Sequence, residues 1–451
     1  MTTSIAAPQP SIGPPTPVRF PDVEATTLEN GLRVWTIPRT STPVVAVLLV
    51  VDCGTANDPA GRPGLAGLTA DLLDEGAGDR DAIALAEAFS ALGSHLEIEV
   101  GPDVTTFGLT ALSRHFDGVV DLLADVILRP RFDAPDFERV RDLRLNRLRQ
   151  LSRSPGSAAH RAFLDAVFGW HPYGHGALGT TAALQESRLD DARAFWAEGF
   201  TPRGATLIAV GDVTPDAAVT GAARALGGWA GVAAAAVPPA DVAAVDRRVL
   251  LVDRPGASQS ELRVGHVGPA RRTPAYHAIV TMNAVLGGQF ASRVNRVLRE
   301  QRGVTYGART WFEFRRICGG FACETSVQSD ATAESVAEVL RQFQSMLEAP
   351  VEGGELGRAR ASLIRGYVRN FETPVQLARA AAQLAVHGMP PSVYDDFVPA
   401  VGGVTAGDVR AAAREFIRPD DAAIVVVGDA ARCRPSLELL GREVAIAMPE
   451  F

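Results

Sequence analysis

Two histidines four apart, His171 and His175, form a pair whose residue type and spacing could hold a metal ion. Ligands at i and i+4 converge when a helix stacks them on one face, but Pro172 and Gly174 between them argue for a loop. The spacing therefore predicts a turn packed by Tyr173, with hydrogen-bonded or solvated imidazoles rather than ligands. His95, His115, His160, His266, His277 and His387 are scattered singly and read as surface or core residues. Cys53, Cys318, Cys323 and Cys433 form no CxxC pair, so neither a thiolate metal site nor a disulfide framework is indicated, and buried free thiols are expected. Asp71, Asp74 and Glu75 cluster at the end of a predicted helix. Carboxylates there are usually just solvated, and a divergent metal site is the alternative.

The elements that must position these residues repeat. Gly31–Ile37 is a strand-like run, Val44–Cys53 a strand, Leu65–Glu75 and Ala82–Leu92 helices, and Leu96–Leu112 a pair of strands. The second half echoes this with strands at Arg248–Asp253 and Ser260–His266, helices at Ala275–Leu286 and Ser292–Glu300, strands within Tyr306–Thr325, and a helix at Ala331–Leu347. A helix over Asp136–Arg153 ends before Pro155, as its counterpart over Glu355–Asn370 ends before Pro374. Each half closes on an apolar strand running into Gly-Asp, at Ala205–Asp212 and Ala422–Asp429. The expected architecture is α+β: a disordered leader (1–18), an α/β domain (19–228), a linker rich in Ala and Pro (229–247) and a second, homologous α/β domain (248–451).

Composition narrows the function classes. The chain has 451 residues, 47% hydrophobic and 21% charged, which is a globular composition. With 44 Lys plus Arg against 52 Asp plus Glu, the net charge of −8 gives no sign of phosphate-backbone binding, and nucleic acid is not an expected partner. The leader lacks a basic n-region and an apolar h-region, and no stretch approaches the roughly 20 apolar residues of a membrane span. No membrane association is expected; the placement is cytoplasmic, or periplasmic if a signal peptide has been removed.

His171-Pro-Tyr-Gly174, Gly179-Thr180 and the paired domains resemble the pitrilysin/insulinase-type zinc peptidases, including the bacterial relatives of mitochondrial processing peptidase. The resemblance spans nearly the whole chain. It implies two homologous domains of mixed, largely antiparallel sheet packed by helices, forming half of a clamshell dimer around a peptide. Family members carry H-x-x-E-H on the first helix after the first long strand: two zinc ligands, a general base and, further on, a Glu ligand. This chain reads Gly64-Leu-Ala-Gly-Leu-Thr-Ala-Asp71 there, so Gly67 and Asp71 replace the histidines and Ala70 the base. On the Asp136 helix, Arg147 falls nearest the position of the remote Glu. No metal is expected in this chain, and zinc is expected in a partner.

The stretch from Leu286-Gly-Gly to Gly-Val-Thr-Tyr306 resembles the family's signature in the second half. By that resemblance, Arg299 binds the substrate backbone and Tyr306 polarises the scissile carbonyl. A guanidinium fork and a phenol suit those roles, and neither needs zinc in its own chain. Gly287 and Gly288 permit positive φ or close backbone approach and, by resemblance, lie beside the chamber. Gly93–Leu112 matches the region where active members pair an extended peptide, although Ser94-His-Leu-Glu-Ile-Glu-Val100 is acidic for that task. The implied function is a non-catalytic subunit of a heterodimeric zinc endopeptidase, inactive alone, that lends Arg299 and Tyr306 to a homologous zinc-bearing subunit acting on peptides or unfolded segments. The alternatives are a structural or peptide-holding protein, as in respiratory core subunits, and a divergent hydrolase.

Overall fold

The computed structural model describes residues 13, 17–232, 237 and 246–449. The expected leader and linker therefore lie largely outside the described residues. Trp229, where the linker was expected to start, is buried, and its indole N–H donates to the Phe200 carbonyl at 3.0 Å.

The first sheet is built from β1 (Glu24–Thr27), β2 (Arg33–Pro38), β3 (Val44–Val51), β4 (Glu97–Val100), β5 (Thr105–Leu112) and β6 (Ala205–Gly211), in the order β1-β2-β6-β3-β5-β4. The second is built from β7 (Val249–Asp253), β8 (Gln259–Gly268), β9 (Ala308–Glu313), β10 (Gly319–Gln328), β11 (Ala423–Gly428) and β12 (Val444–Ile446). Its order, β12-β7-β11-β8-β10-β9, repeats the first apart from the outer strand. In each sheet the strand closing the half pairs parallel with the opening one, β6 with β2 and β11 with β7, while the other inner pairs are antiparallel. The mixed, largely antiparallel α+β architecture expected from the repeat is thus present twice.

Six helices position the site and join the two halves: α1 (Leu65–Leu73), α2 (Ala134–Ser152), α3 (Pro155–Phe168), α4 (Tyr276–Leu286), α5 (Gly353–Tyr367) and α6 (Pro374–His387). Pro155 and Pro374 end one helix and open the next. Proline at the first helical position sacrifices no hydrogen bond, and Ser154 and Thr373 cap the new N-termini. The pivot sends each new helix to the other half. Ala159, Phe163 and Val167 of α3 pack on Ala322, Val425 and Val427 of the second sheet. Leu377, Ala381 and Leu384 of α6 pack on Ala46, Val50 and Ile208 of the first. Both faces of β3, β6 and β11 are covered in consequence, which is why these strands are apolar without alternation.

The helix expected over Ser292–Glu300 differs. It makes one turn at Arg293–Asn295 and then winds as a π-helix over Arg296–Gln301. Asn295 anchors the turn by bonding both backbone groups of Ala308, and the Arg302 N–H reaches back to the Val297 carbonyl. Such wide turns often mark functional positions, and this one carries Arg299.

Candidate functional site

α1 is held by its N-terminus. Gly64 adopts φ 95°, and the carboxylate of Asp58 accepts the Gly64 and Ala66 N–H groups at 2.6 Å each. His175 Nε2 lies 2.9 Å from the same carboxylate. Gly179 packs so closely that a Cβ on Gly64 would come 2.6 Å from its Cα. His175 and Gly179 of the family-like stretch are therefore spent on fixing α1. His171 is buried and accepts the Tyr173 N–H at Nδ1, so the turn expected around Tyr173 forms and its histidines are hydrogen-bonded.

α1 is buried on every side except at Asp71. A Cβ on Gly67 would sit 2.1 Å from the Ala177 carbonyl oxygen and 2.5 Å from Nη2 of Arg144. That guanidinium comes from α2, is buried, and bonds Asp71 through Nη1 and the Ala177 carbonyl through Nη2. Arg144 thus touches both positions at which family members carry ligand histidines. A unit charge about 4 Å from a dication costs about 8 kcal/mol at an effective dielectric of about 20, so the residues present do not fit zinc. Ala70, fully buried, offers no base.

The expectation for Arg147 is corrected here. It is exposed, and its head group reaches Gln150 on its own helix. Phe137, Val140, Arg144, Leu145 and Leu148 are the residues α2 turns inward, so Arg144, nearly one turn before Arg147, enters the site. Glu75 pairs with Arg139, and among the described residues no three His, Cys, Asp or Glu side chains gather as metal ligands.

In the second half, Arg299 lies over the ring of Phe290, 3.4 Å from its centroid, and meets Glu300 at 3.5 Å. Its Nη1 is buried without a partner among the described residues. Phe290 is 71% exposed and Tyr306 95% exposed, so a phenol and an aromatic face both project into solvent here. No hydrogen bond joins Arg299 to Tyr306. Gly287 and Gly288 do not use positive φ. They end α4 where Thr310 and Asn283 leave no space for a Cβ, so close approach is what requires glycine.

A bracket between the halves was not anticipated. The Tyr173 hydroxyl donates to Asp103, whose other oxygen accepts the Arg316 N–H at 3.1 Å, and Arg316 also ion-pairs with Asp52. Arg315 bonds the Tyr173 carbonyl at 3.2 Å. Desolvation and the Asp103 carboxylate hold the Tyr173 phenol far above its usual range. All four cysteines are free; the Cys318 thiol is 4.0 Å from His171 but burial pushes it up to about 11, so the pair holds no thiolate at neutral pH.

Residues 33–181 match the insulinase (peptidase family M16) domain, and residues 188–363 the peptidase M16 inactive domain. An uncharacterized zinc protease of Mycobacterium tuberculosis is 28% identical over 404 residues, covering 87% of this chain and 90% of the relative. One of Streptomyces coelicolor is 25% identical, covering 88% and 87%. A crystal structure of a peptidase M16 inactive domain from Pseudomonas fluorescens superimposes with TM-score 0.85 at 24% identity, over 90% of this chain and 98% of that one. A protease from Helicobacter pylori does so with TM-score 0.82 at 18% identity, over 90% and 99%. The chain belongs to the insulinase family of peptidases, M16, and lacks that family's catalytic motif.

Proposed function

We propose that the chain is the non-catalytic subunit of a two-chain zinc endopeptidase, closing a chamber with a homologous zinc-bearing subunit and lending it Arg299 and Tyr306. The observation that carries this reading is an asymmetry. The metal half-site is filled by Arg144, whereas Arg299 keeps a nitrogen without a partner among the described residues and Tyr306 keeps its phenol in solvent. Hydrolytic chemistry would be supplied by the partner's zinc. Arg299 would hold the backbone of a peptide or unfolded segment, and Tyr306 would donate to the carbonyl under attack. Phe290, stacked under Arg299, limits the directions its fork can take.

The test is co-expression with a homologous zinc-bearing chain from the same source. The pair is expected to cleave peptides while either chain alone does not. Arg299→Ala should raise KM and lower kcat, and Tyr306→Phe should act chiefly on kcat, by about 10- to 1000-fold as for loss of one oxyanion donor. Unaltered cleavage by both variants would remove the assigned roles. A chain that never associates with a hydrolytic partner would favour a purely structural or peptide-holding protein.

A further inference from the structure

On the face of the first sheet opposite α1, beside α6, a cavity of about 620 Å³ opens between the halves. Its walls include Leu48 of the first sheet, Phe371 and Val375 at the start of α6, and Tyr276, Tyr367, Tyr394 and Phe397 from the second half, with Glu97 and Glu99 on the β4 side. That volume lies within the range of small-ligand sites and suits a single large apolar group with its attachments.

The polar groups in this apolar chamber are unequally satisfied. Glu97 at the rim meets His95 at 3.0 Å and Arg379 at 3.8 Å. Tyr394 donates its hydroxyl to the Ala380 carbonyl at 2.7 Å. Arg271 is different: its guanidinium lies 3.5 Å from the centroid of the Tyr276 ring, and no ion pair with a described carboxylate neutralises it. The hydroxyls of Tyr276 and Tyr367 also make no hydrogen bond to a described residue, although Tyr367 is only 8% exposed. Tyr367 stacks on Phe397, with ring centroids 4.0 Å apart, which fixes its phenol. Burial raises the Tyr367 phenol above its usual range, Tyr394 and Tyr276 raise it further, and Arg271 opposes them, so these groups lie within one another's fields. One cation and two phenolic donors without acceptors therefore share an aromatic cavity. A negatively charged acceptor would give all three the partner they lack among the described residues, through charge-assisted hydrogen bonds.

We propose that this cavity binds a carboxylate attached to an apolar or aromatic body, such as the last residue of a peptide, with Arg271 and the hydroxyls of Tyr276 and Tyr367 on the carboxylate and the surrounding aromatic rings on the body. The site lies across the sheet from α1 and uses neither Arg299 nor Tyr306. It is independent of the proposed partner, and its test needs only the isolated chain.

Calorimetric titration of the purified chain with Ala-Ala-Phe, with its C-terminal amide and with decanoate tests the assignment. The free acid is expected to bind at least 10-fold more tightly than the amide. Arg271→Ala should weaken the acid at least 10-fold and leave the amide unchanged, while Tyr367→Phe, which keeps the ring stack, should weaken the acid several-fold with an unaltered circular dichroism spectrum. Decanoate binding more tightly than the peptide acid would support the site with free acids as its ligand source. Equal binding of acid and amide, no binding of either acid at millimolar concentration, or acid affinity indifferent to both substitutions would overturn the proposal.

Discussion

Arg144 on α2 ion-pairs with Asp71 on α1, and the same guanidinium caps the Ala177 carbonyl against the face of Gly67. A built-in cation thus stands where family members place a metal between the two helices. Restoring ligands at Gly67 and Asp71 and a base at Ala70 should therefore fail while Arg144 remains. Gly67→His/Ala70→Glu/Asp71→His is expected to purify with no stoichiometric zinc by atomic emission. One equivalent of zinc in that triple variant would contradict the account.

Gly67 is also a packing requirement. Any side chain there meets a carbonyl oxygen that cannot retreat easily, so Gly67→Ala should lower stability by about 1–3 kcal/mol despite alanine's better helix propensity. Asp71→Ala should cost a similar amount: Asp71 itself is half exposed, but its removal leaves the buried Arg144 without a carboxylate. Urea denaturation midpoints at constant m-value would measure both.

Acid should weaken the fold through His266. Its Nδ1 faces the Val267 carbonyl at 2.9 Å and its Nε2 accepts the Arg418 N–H at 3.0 Å, a pattern that needs the neutral ring. Burial, chiefly, brings its pKa down to about 4. Its ordinary value is about 6.5, so the unfolded chain binds the extra proton between those limits. The contribution is complete above about pH 6.5 and is lost as pH falls towards 4. His387, also lowered to about 4 by burial and by Arg271 and Arg316, acts in the same direction. His266→Gln should flatten the decline in melting temperature between pH 7 and pH 4.5, and an unchanged slope would exclude His266 as a source.

Tyr173→Phe removes the hydroxyl that ties Asp103 of the first half to the Arg316 segment of the second. It should cost about 1–3 kcal/mol and speed amide exchange in residues 315–318 more than in β3. Uniform exchange across both regions would show that the bracket is not a local clasp.

Tyr306→Phe, by contrast, should change stability by less than about 0.5 kcal/mol, because the side chain is 95% exposed. A folding defect in that variant would contradict the solvent-facing placement of the phenol, and its absence makes the variant a clean probe of cleavage by a complex.

Much of the architecture was legible because it is written in local period and repetition. The runs at Val44–Val51 and Ala422–Gly428, and the prolines at 155 and 374, mark strands and helix junctions without tertiary information. The loss of the metal motif was equally local. Arg144 was not legible, since an arginine on a basic helix has many exposed neighbours, and only the inward phase shared with Val140 and Leu148 could have singled it out over Arg147. The π-turn at Arg296–Gln301 and the Tyr173 bracket depend on partners far along the chain, Ala308 for one and Asp103 and Arg316 for the other, and no short window contains both members.

The crossing of α3 and α6 has a mechanical consequence. Each sheet is roofed by a helix that the opposite half supplies, so separating the halves would strip apolar cover from both sheets at once. Each half therefore depends on the other for the cover of its sheet, and the two are expected to unfold together.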